Sequence, residues 1–501
     1  MEKIVSLCKR RGFVFQSSEI YGGLNGCWDY GPLGAELKKN LKDYWWRRMV
    51  RDRDDVVGMD GAILQNRRVW QASGHESTFS DPLVDCKETK ARFRADQIFF
   101  TPVIIGGEDH GYTSVSESPT MADAAKDKIR KLQKKGGIKG EIGEVDLKPL
   151  TEATPEQLAL IPSPNTNTPG SLTEPRQFNL MFKTYVGPVE DDSNVTYLRP
   201  ETAQAIFVQF KNVLETSRVK LPFGIAQVGK AFRNEINPRN FTFRSREFEQ
   251  MEIEYFCKPD QGLEFLEYWL EERLKFYEEI GVQREKLHVL DVPSNERAHY
   301  SGGTYDIEYE FPFGIQELEG VAYRTNYDLT KHQEHSGKSL EYFDPETKEK
   351  FIPHVVEPSA GVDRTVLAVI CEAYDEEAIT DEKGKETVRE VLRFSPRMAP
   401  IKCGIFPLLK NKPALVAKAR EVQKLLRPHM DVFYDEAGAV GRRYRRQDEI
   451  GTPFCVTIDF DTLGENGPDL TDTVTVRERD AMTQERIPIV NLLSYLLDRI
   501  R

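Results

Sequence analysis

The chain has 501 residues, with 69 Lys+Arg against 81 Asp+Glu and hence a net charge of −12. At ~100–200 residues per domain this length suggests roughly two to four domains, and a hydrophobic share of 39% excludes disorder of the whole chain. No apolar run approaches the ~18 residues of a membrane span. The acidic balance excludes a grip on nucleic acid by bulk charge, so any such contact must come from local basic patches. The start, Met1-Glu-Lys-Ile-Val-Ser, lacks an apolar leader. Seven cysteines stand alone without a Cys-x-x-Cys pair, which argues for reduced thiols in a cytoplasmic protein and against a disulfide frame or structural zinc.

In residues 1–105 the clearest helix starts at Leu33 and runs to Trp46, with Leu33, Leu37, Leu41 and Trp45 on one face. Pro32 sits in its first turn, where a missing N–H costs little. Residues 106–180 change character. Lys126, Lys128, Lys131, Lys134, Lys135 and Lys139 are followed by Pro155, Pro162, Pro164, Pro169 and Pro175. We read this as an inserted, mobile subdomain whose lysines form either a solvated helix face or a phosphate-contacting patch.

Residues 181–392 return to extended, aromatic-rich runs: Phe223–Phe232, Phe241–Phe256 and Tyr305–Phe311, with a helix over Leu263–Tyr277 between them. Strands in hairpins with helices to one side predict an α+β fold built on an antiparallel sheet. The acidic stretch 375–390 reads as an exposed excursion or linker. The last unit, 393–501, alternates strand and helix regularly and predicts a small α/β domain. Its Gly441-Arg-Arg-Tyr-Arg-Arg suits phosphates and an unpaired base, or else is the solvated side of an amphipathic helix.

Side-chain alternation carries the chemistry. It aligns Gln227, Arg233 and Glu235 on one face of the first run, and Phe248, Gln250, Glu252 and Glu254 on one face of the second. A hairpin face of Arg, Glu, Gln and Phe fits a binding floor: guanidinium groups clamp phosphate or carboxylate, and an aromatic ring stacks a base. Downstream, Ser359 and Gly361 introduce a helix whose first turn holds Arg364, at an end that favours anions. No Walker motif and no strand-linked Gly-x-Gly-x-x-Gly occurs.

These stretches, with Trp28-Asp-Tyr-Gly-Pro-Leu-Gly, Phe93-Arg-Ala-Asp, Leu198-Arg-Pro-Glu-Thr-Ala-Gln, Phe232-Arg-Asn-Glu-Ile, Arg246-Glu-Phe-Glu-Gln-Met-Glu and Val356-Glu-Pro-Ser-Ala-Gly-Val-Asp-Arg, resemble the three signature motifs of the class II aminoacyl-tRNA synthetases. Within that class the resemblance is to the homodimeric glycyl-tRNA synthetase family, and it spans nearly the whole chain in order. It implies an antiparallel catalytic sheet flanked by helices, an inserted subdomain and a C-terminal anticodon-binding domain. The implied reaction is ATP-dependent ligation of glycine to the 3′ end of tRNA(Gly) through a glycyl-adenylate. The implied assembly is a homodimer with motif 1 (Gly31–Trp46) at the interface.

Carried over by resemblance, Arg233 binds the α-phosphate, Glu235 meets the adenine amino group and Phe248 stacks on adenine. Arg244 or Arg246 reaches the distal phosphates, and Arg364 sandwiches the adenine or touches the γ-phosphate. Asn234, Phe243, Leu318 and Gly361 complete the ATP site, and Glu317 faces Mg²⁺ and ribose. Glycine falls to Glu201, Glu252, Glu357, Ser359, Gln250, Phe248 and Gly361, with Arg94 a further contact and Arg324 a pocket wall. From their own charge and aromatic character, and not from the resemblance, Lys131, Lys134 and Lys135 and Arg442, Arg443, Tyr444 and Arg445 are expected to contact tRNA. Cys86 stands where some relatives carry paired cysteines, so no zinc is expected, and His332-x-x-His335 reads as structural or exposed.

Overall fold

The computed structural model describes residues 1–118, 120–298, 300–380 and 386–500. Its centre is a seven-stranded sheet of β1 (Val56–Gly58), β2 (Phe223–Phe232), β3 (Glu247–Cys257), β4 (Leu287–Asp291), β5 (Gly303–Phe311), β6 (Gly314–Thr325) and β7 (His354–Gly361). The spatial order is β4-β5-β6-β7-β3-β2-β1. Every junction is antiparallel except β1 against β2, which is parallel.

The predicted alternation holds through the central hairpin. Met251, Ile253 and Tyr255 point to the face packed by α1 (Pro32–Trp46), α4 (Gly262–Glu279) and α6 (Val362–Ala373), in one core with Leu37, Leu41, Trp45, Trp269 and Val366. On the opposite face α3 (Ala203–Ser217) covers only the lower half, setting Phe207 and Phe210 on Phe223, Ile225 and Phe256. The upper half of that face stays open and polar. Lys38 of α1 ties the layers, its Nζ lying 2.7 Å from Glu249 on β3 and 2.7 Å from Asp363 on α6.

The extended run expected over 241–256 starts later. Asn240 and Phe241 have φ of 57° and 59°, and a tight turn over Phe241–Phe243 buries both phenylalanines before β3 begins at Glu247. Left-handed backbone at two consecutive non-glycine residues cannot continue a strand.

The inserted unit is folded and starts earlier than residue 106. Ser80–Asp85 pairs with Arg92–Arg94 and Arg176–Asn179, and Ile98–Ile105 pairs with Glu108–Ser116. A boundary at 105/106 therefore falls inside a hairpin. The composition shift marks polar surface, whereas the unit's own core draws on Val84, Ile98 and Phe100 as well as Leu150, Ile161 and Leu172. The basic helix is α2 (Met121–Gly136), anchored by Ala125 and Ile129.

The stretch 375–390 is not a linker. Tyr374–Thr380 pairs with Glu386–Leu392 as a hairpin, while 381–385 lie outside the described residues. Glu376 and Glu386 are exposed, whereas Glu377 lies opposite the buried Arg389 and pairs with it. The C-terminal unit has β8 (Cys403–Pro407), β9 (Val432–Tyr434), β10 (Phe454–Ile458), β11 (Thr473–Glu478) and β12 (Gln484–Pro488), ordered β9-β8-β10-β11-β12. Helices α7 (Pro413–Leu426), α8 (Val440–Asp448) and α9 (Ile489–Ile500) accompany it, Leu415, Val422, Leu492 and Leu496 sharing its core. Hairpin β11–β12 escaped the sequence reading because Thr and Arg alternate there with single valines.

Arg389 fixes this unit to the hairpin. Its Nε donates to Asp448 Oδ2 at 2.9 Å and its Nη2 to the Arg479 carbonyl at 2.6 Å, while Arg477 holds the other Asp448 oxygen at 2.9 Å. Removing one partner of a buried charge network leaves uncompensated charge. Arg389→Ala should therefore lower stability by about 3 kcal/mol, read from the urea-unfolding midpoint. An unchanged midpoint would show that the joint does not depend on this arginine.

Candidate active site

The register places the chemistry. Gln227 lies opposite Glu252, Gly229 opposite Gln250 and Ala231 opposite Phe248 on β2 and β3. Glu252 lies opposite Ser359 and Gln250 opposite Gly361 on β3 and β7. Strands β3 and β7 thus bring Phe248, Gln250, Glu252, Ser359 and Gly361 together on one face. Above it opens a cleft of about 560 Å³ whose lining includes Arg94, Arg233, Glu235, Phe243, Arg244, Phe248, Gln250, Glu317, Leu318, Glu357, Ser359, Gly361 and Arg364. Gly229 is needed beneath it: an added Cβ would lie 2.2 Å from Arg199 Nη2, and Arg199 crosses there to donate to the Lys230 and Gly61 carbonyls.

One end of the cleft is built for anions and a flat ring. β2 stops at Phe232, so Arg233 and Glu235 stand just beyond its end. Arg233 donates from Nε to the Pro200 carbonyl at 3.1 Å, and its guanidinium lies 5.4 Å from the Phe79 ring centre and 5.5 Å from that of Phe248. Glu235 is buried, and its Oε2 has no donor among the described residues. Arg244 lines the cleft with its Nη1 buried and unpartnered.

Arg246 points the other way. Its Nε and Nη2 donate to the Glu235 carbonyl at 3.2 and 2.9 Å, and its Nη1 to the Asn25 carbonyl at 2.7 Å. It braces the loop that carries Glu235, which leaves Arg244 as the free cation of the pair. Asn234 likewise serves the backbone, its N–H donating to the Leu180 carbonyl at 2.7 Å.

Across the cleft Arg364 lies 4.4 Å over the Phe243 ring and donates to the Glu317 carbonyl at 2.9 Å. Its Nη1 is also 3.3 Å from Glu317 Oε1. Asp306, opposite Gly320 on the neighbouring strand, joins Glu317 in the lining. Burial, then Glu317, then Glu308 push its carboxyl up to about 7. Crowded acids of this kind suit a divalent cation, which takes oxygen ligands. Asp306 was not singled out from the sequence, although its alternation with Glu308 and Glu310 on β5 was readable.

The other end is acidic. Glu357 is buried and accepts from Arg324 Nη1. The remaining faces of Arg324 donate to Asp328 at 2.8 and 3.0 Å, and its guanidinium lies 3.9 Å over the Tyr300 ring. Glu252 accepts from Thr202 Oγ1 and, at 2.9 Å, from Ser359 Oγ. Gln250 accepts the Thr202 N–H at 3.1 Å.

Glu201 lies behind these groups, its oxygens 3.3 Å from His75 Nε2 and 3.0 Å from Gln204 Nε2. Burial would raise its pKa, but His75 and then Arg324 hold it well below the usual carboxylate range. Of the three expected acids, then, Glu357 lines the cleft, Glu252 lies directly under Ser359, and Glu201 is set behind. Arg94 stands in the cleft wall between Asp81 at 2.9 Å and Asp96 at 2.6 Å. His75, Thr202 and Asp328 were missed because each is isolated in sequence and gains meaning only through its partner.

Outside the cleft, His332 is buried against Gln204 at 2.7 Å, and burial lowers its pKa to about 4. It is a structural histidine. Arg443 corrects the expectation of RNA contact. It is 2% exposed and donates to the carbonyls of Pro407, Gly438 and Glu436, which closes the loop before α8. A helix places successive residues about 100° apart, so a run of four arginines cannot all face outward. Tyr444 donates to or accepts from Thr457 Oγ1 at 2.6 Å and lies under Arg477. Arg442 and Arg445 are exposed, as are Lys131, Lys134 and Lys135 on α2.

The chain matches two family models: a tRNA synthetase class II core domain (G, H, P, S and T) over residues 185–374 and an anticodon binding domain over 402–499. It is 48% identical over all of its length to a glycine–tRNA ligase of Treponema denticola, covering 97% of that protein. It is 50% identical to one from Clostridium perfringens over 99% of this chain and 97% of that one. With the ligase of Thermus thermophilus it shares 47% over all of this chain and 99% of the other. With an antiparallel core, an ordered set of cleft arginines and acids, and relatives that match from end to end, the chain belongs to the glycine–tRNA ligase family of class II aminoacyl-tRNA synthetases.

Proposed function

We propose that this chain activates glycine with ATP and transfers it to the 3′ end of tRNA(Gly), releasing pyrophosphate and AMP. The observation that carries the reading is one cleft with unpartnered acceptor and donor atoms for a nucleotide, Glu235 Oε2 and Arg244 Nη1, at one end and the Glu252–Glu357 acids at the other.

Activation brings the glycine carboxylate onto the α-phosphorus of ATP, which sets two anions against each other. The carboxylate is itself the nucleophile, so positioning and charge stabilisation suffice and no protein base is needed. Arg233 is placed for the α-phosphate. Its Nε is fixed on the Pro200 carbonyl, which leaves the outer nitrogens to meet charge as it builds. Phe248 offers its ring to adenine, and Glu235 offers a dry acceptor to the exocyclic amine. Arg244 and Arg364 are placed for the distal phosphates and the far side of the base. Glu317 and Asp306 would hold Mg²⁺, which supplies charge neutralisation along the triphosphate.

Glycine has no side chain, so recognition rests on its ammonium and on excluded volume. Glu252 and Glu357 offer acceptors to the N–H groups, with Thr202 and Ser359 holding Glu252 in place and Arg324 holding Glu357. Excluding a larger homologue by overlap is easier than rejecting a smaller one. The same reading includes Mg²⁺ as an activator, a homodimer packed along Gly31–Trp46 and a cytoplasmic setting, all resting on the family. No helix among the described residues is long and apolar enough to cross a membrane. Contact with tRNA is assigned to Arg442 and Arg445 on α8 and to the α2 lysines.

ATP–pyrophosphate exchange with each of the twenty amino acids tests the proposal. Glycine alone should drive it, and Arg233→Ala should slow it by at least about 100-fold, the scale of losing one preorganised charge donor. Exchange driven by another amino acid, or by none, would overturn the reading. Asp306→Asn should raise the half-saturating Mg²⁺ concentration about tenfold in that assay with the KM for glycine unchanged; an unaltered Mg²⁺ dependence would remove Asp306 from the site. Reversing charge at Lys131, Lys134 and Lys135 should raise the KM for tRNA several-fold and leave pyrophosphate exchange intact. Unchanged aminoacylation would free α2 of any role with tRNA.

A further inference from the structure

Glu254 has no part in the chemistry above. It follows Glu252 by one strand period on β3, opposite Ile225 of β2. On the other side, the pairings Glu252–Ser359 and Tyr255–Val356 put it beside Glu357 of β7. One oxygen from each of Glu252, Glu254 and Glu357 lies within 4.8 Å of the others. Glu254 is 0% exposed, and both its oxygens lack a hydrogen-bond partner among the described residues.

The charged groups that bear on it most among the described residues are mostly acids. From β3 comes Glu252, from β7 Glu357, and from α5 (Tyr327–Ser336) Asp328. The cation that bears on it most among the described residues, Arg324 of β6, has its Nε and Nη2 on Asp328 and its Nη1 on Glu357. Below lie Ile225 and Phe256 of the apolar half of the face. An ionised Glu254 would be a dry charge with no N–H to meet it and two carboxylates alongside. A proton removes that penalty, and the resulting O–H can point only at carboxylate oxygens.

We propose that Glu254 is a neutral carboxylic acid in the floor of the amino-acid pocket, a positioning residue whose O–H donates to the Glu252–Glu357 pair and fixes the acceptors that receive the substrate ammonium. The direction of its titration agrees: burial first, then Glu357 and Glu252, raise its pKa far above the carboxylate range. Arg324 holds Glu357 from one side and the Glu254 hydroxyl holds the pair from beneath. The proton also keeps a further negative charge out of a pocket in which burial pushes the Glu357 carboxyl up as well, against the pull of Arg324, so the pit attracts an ammonium without repelling itself apart.

The inference rests on the proposed role of Glu252 and Glu357, and two variants with two readouts separate the two ideas. Glu254→Leu removes the donor, and should raise the KM for glycine at least tenfold while leaving the KM for ATP unchanged. Glu254→Gln restores a donor of the same size without an acid, and should bring the glycine KM back to within about threefold of the parent. In an infrared difference spectrum of parent minus Glu254→Gln at pH 8, without substrate, a protonated-carboxyl stretch that shifts in D₂O should appear. Absence of that band, a Glu254→Gln variant as impaired as Glu254→Leu, or a Glu254→Leu variant equal to the parent would each overturn the proposal. If Glu254→Leu fails to fold, the band and the Glu254→Gln kinetics decide. Failure of glycine to drive exchange in the parent would defeat the functional reading instead, and the band does not depend on it.

Discussion

Everything in the catalytic half depends on holding charged side chains at fixed positions on a sheet face from which water is partly excluded. Like charges so placed repel, and buried charges cost free energy unless each is met by a donor, a cation or a proton. The antiparallel register of β2, β3 and β7 solves this for three of the acids by giving each its own restraint. Glu252 has Thr202 and Ser359, Glu357 has Arg324, and Glu201 has His75 and Gln204. Side chains so restrained lose little freedom when a ligand arrives, which is the physical meaning of a preorganised site.

The two faces of the sheet are thereby given different work. One is sealed by α1, α4 and α6 into the largest apolar core. The other is sealed only below, where α3 covers Phe223, Ile225 and Phe256. The cleft begins where that cover ends. Glu254 sits on the line between wet and dry, where burial pushes its carboxyl up as it does that of Glu357. Arg246 and Arg443 show the complementary case: arginines that satisfy backbone carbonyls and shape a loop, and so leave the ligand to others.

Much of this was legible in the sequence because strand alternation is strict. Every second residue from Phe248 to Glu254 shares the cleft-side face, and of these Phe248 and Gln250 line the cleft while Glu252 and Glu254 lie buried beneath. The motif resemblance supplied roles for Arg233, Glu235 and Arg364, and the structure brings all three to one cavity. What the sequence hid had three physical sources. Tertiary pairings such as His75 with Glu201 or Arg324 with Asp328 leave no periodic trace. Helical geometry turned Arg443 inward against the impression of a uniform basic run. Composition misled at the margins: lysines and prolines located the surface of the insert, and acids the outer edge of the hairpin at 374–392, whereas the cores of both rest on sparse apolar residues.

The central claim is that one end of the cleft receives an ammonium and the other a nucleotide phosphate. A crystal structure with a non-hydrolysable sulfamoyl analogue of glycyl-adenylate tests it most directly. The account predicts the amine within hydrogen-bond distance of Glu252 and Glu357, the sulfamoyl group against Arg233 and the adenine on Phe248. An amine turned toward solvent, or an adenine seated away from Phe248 and Glu235, would contradict it.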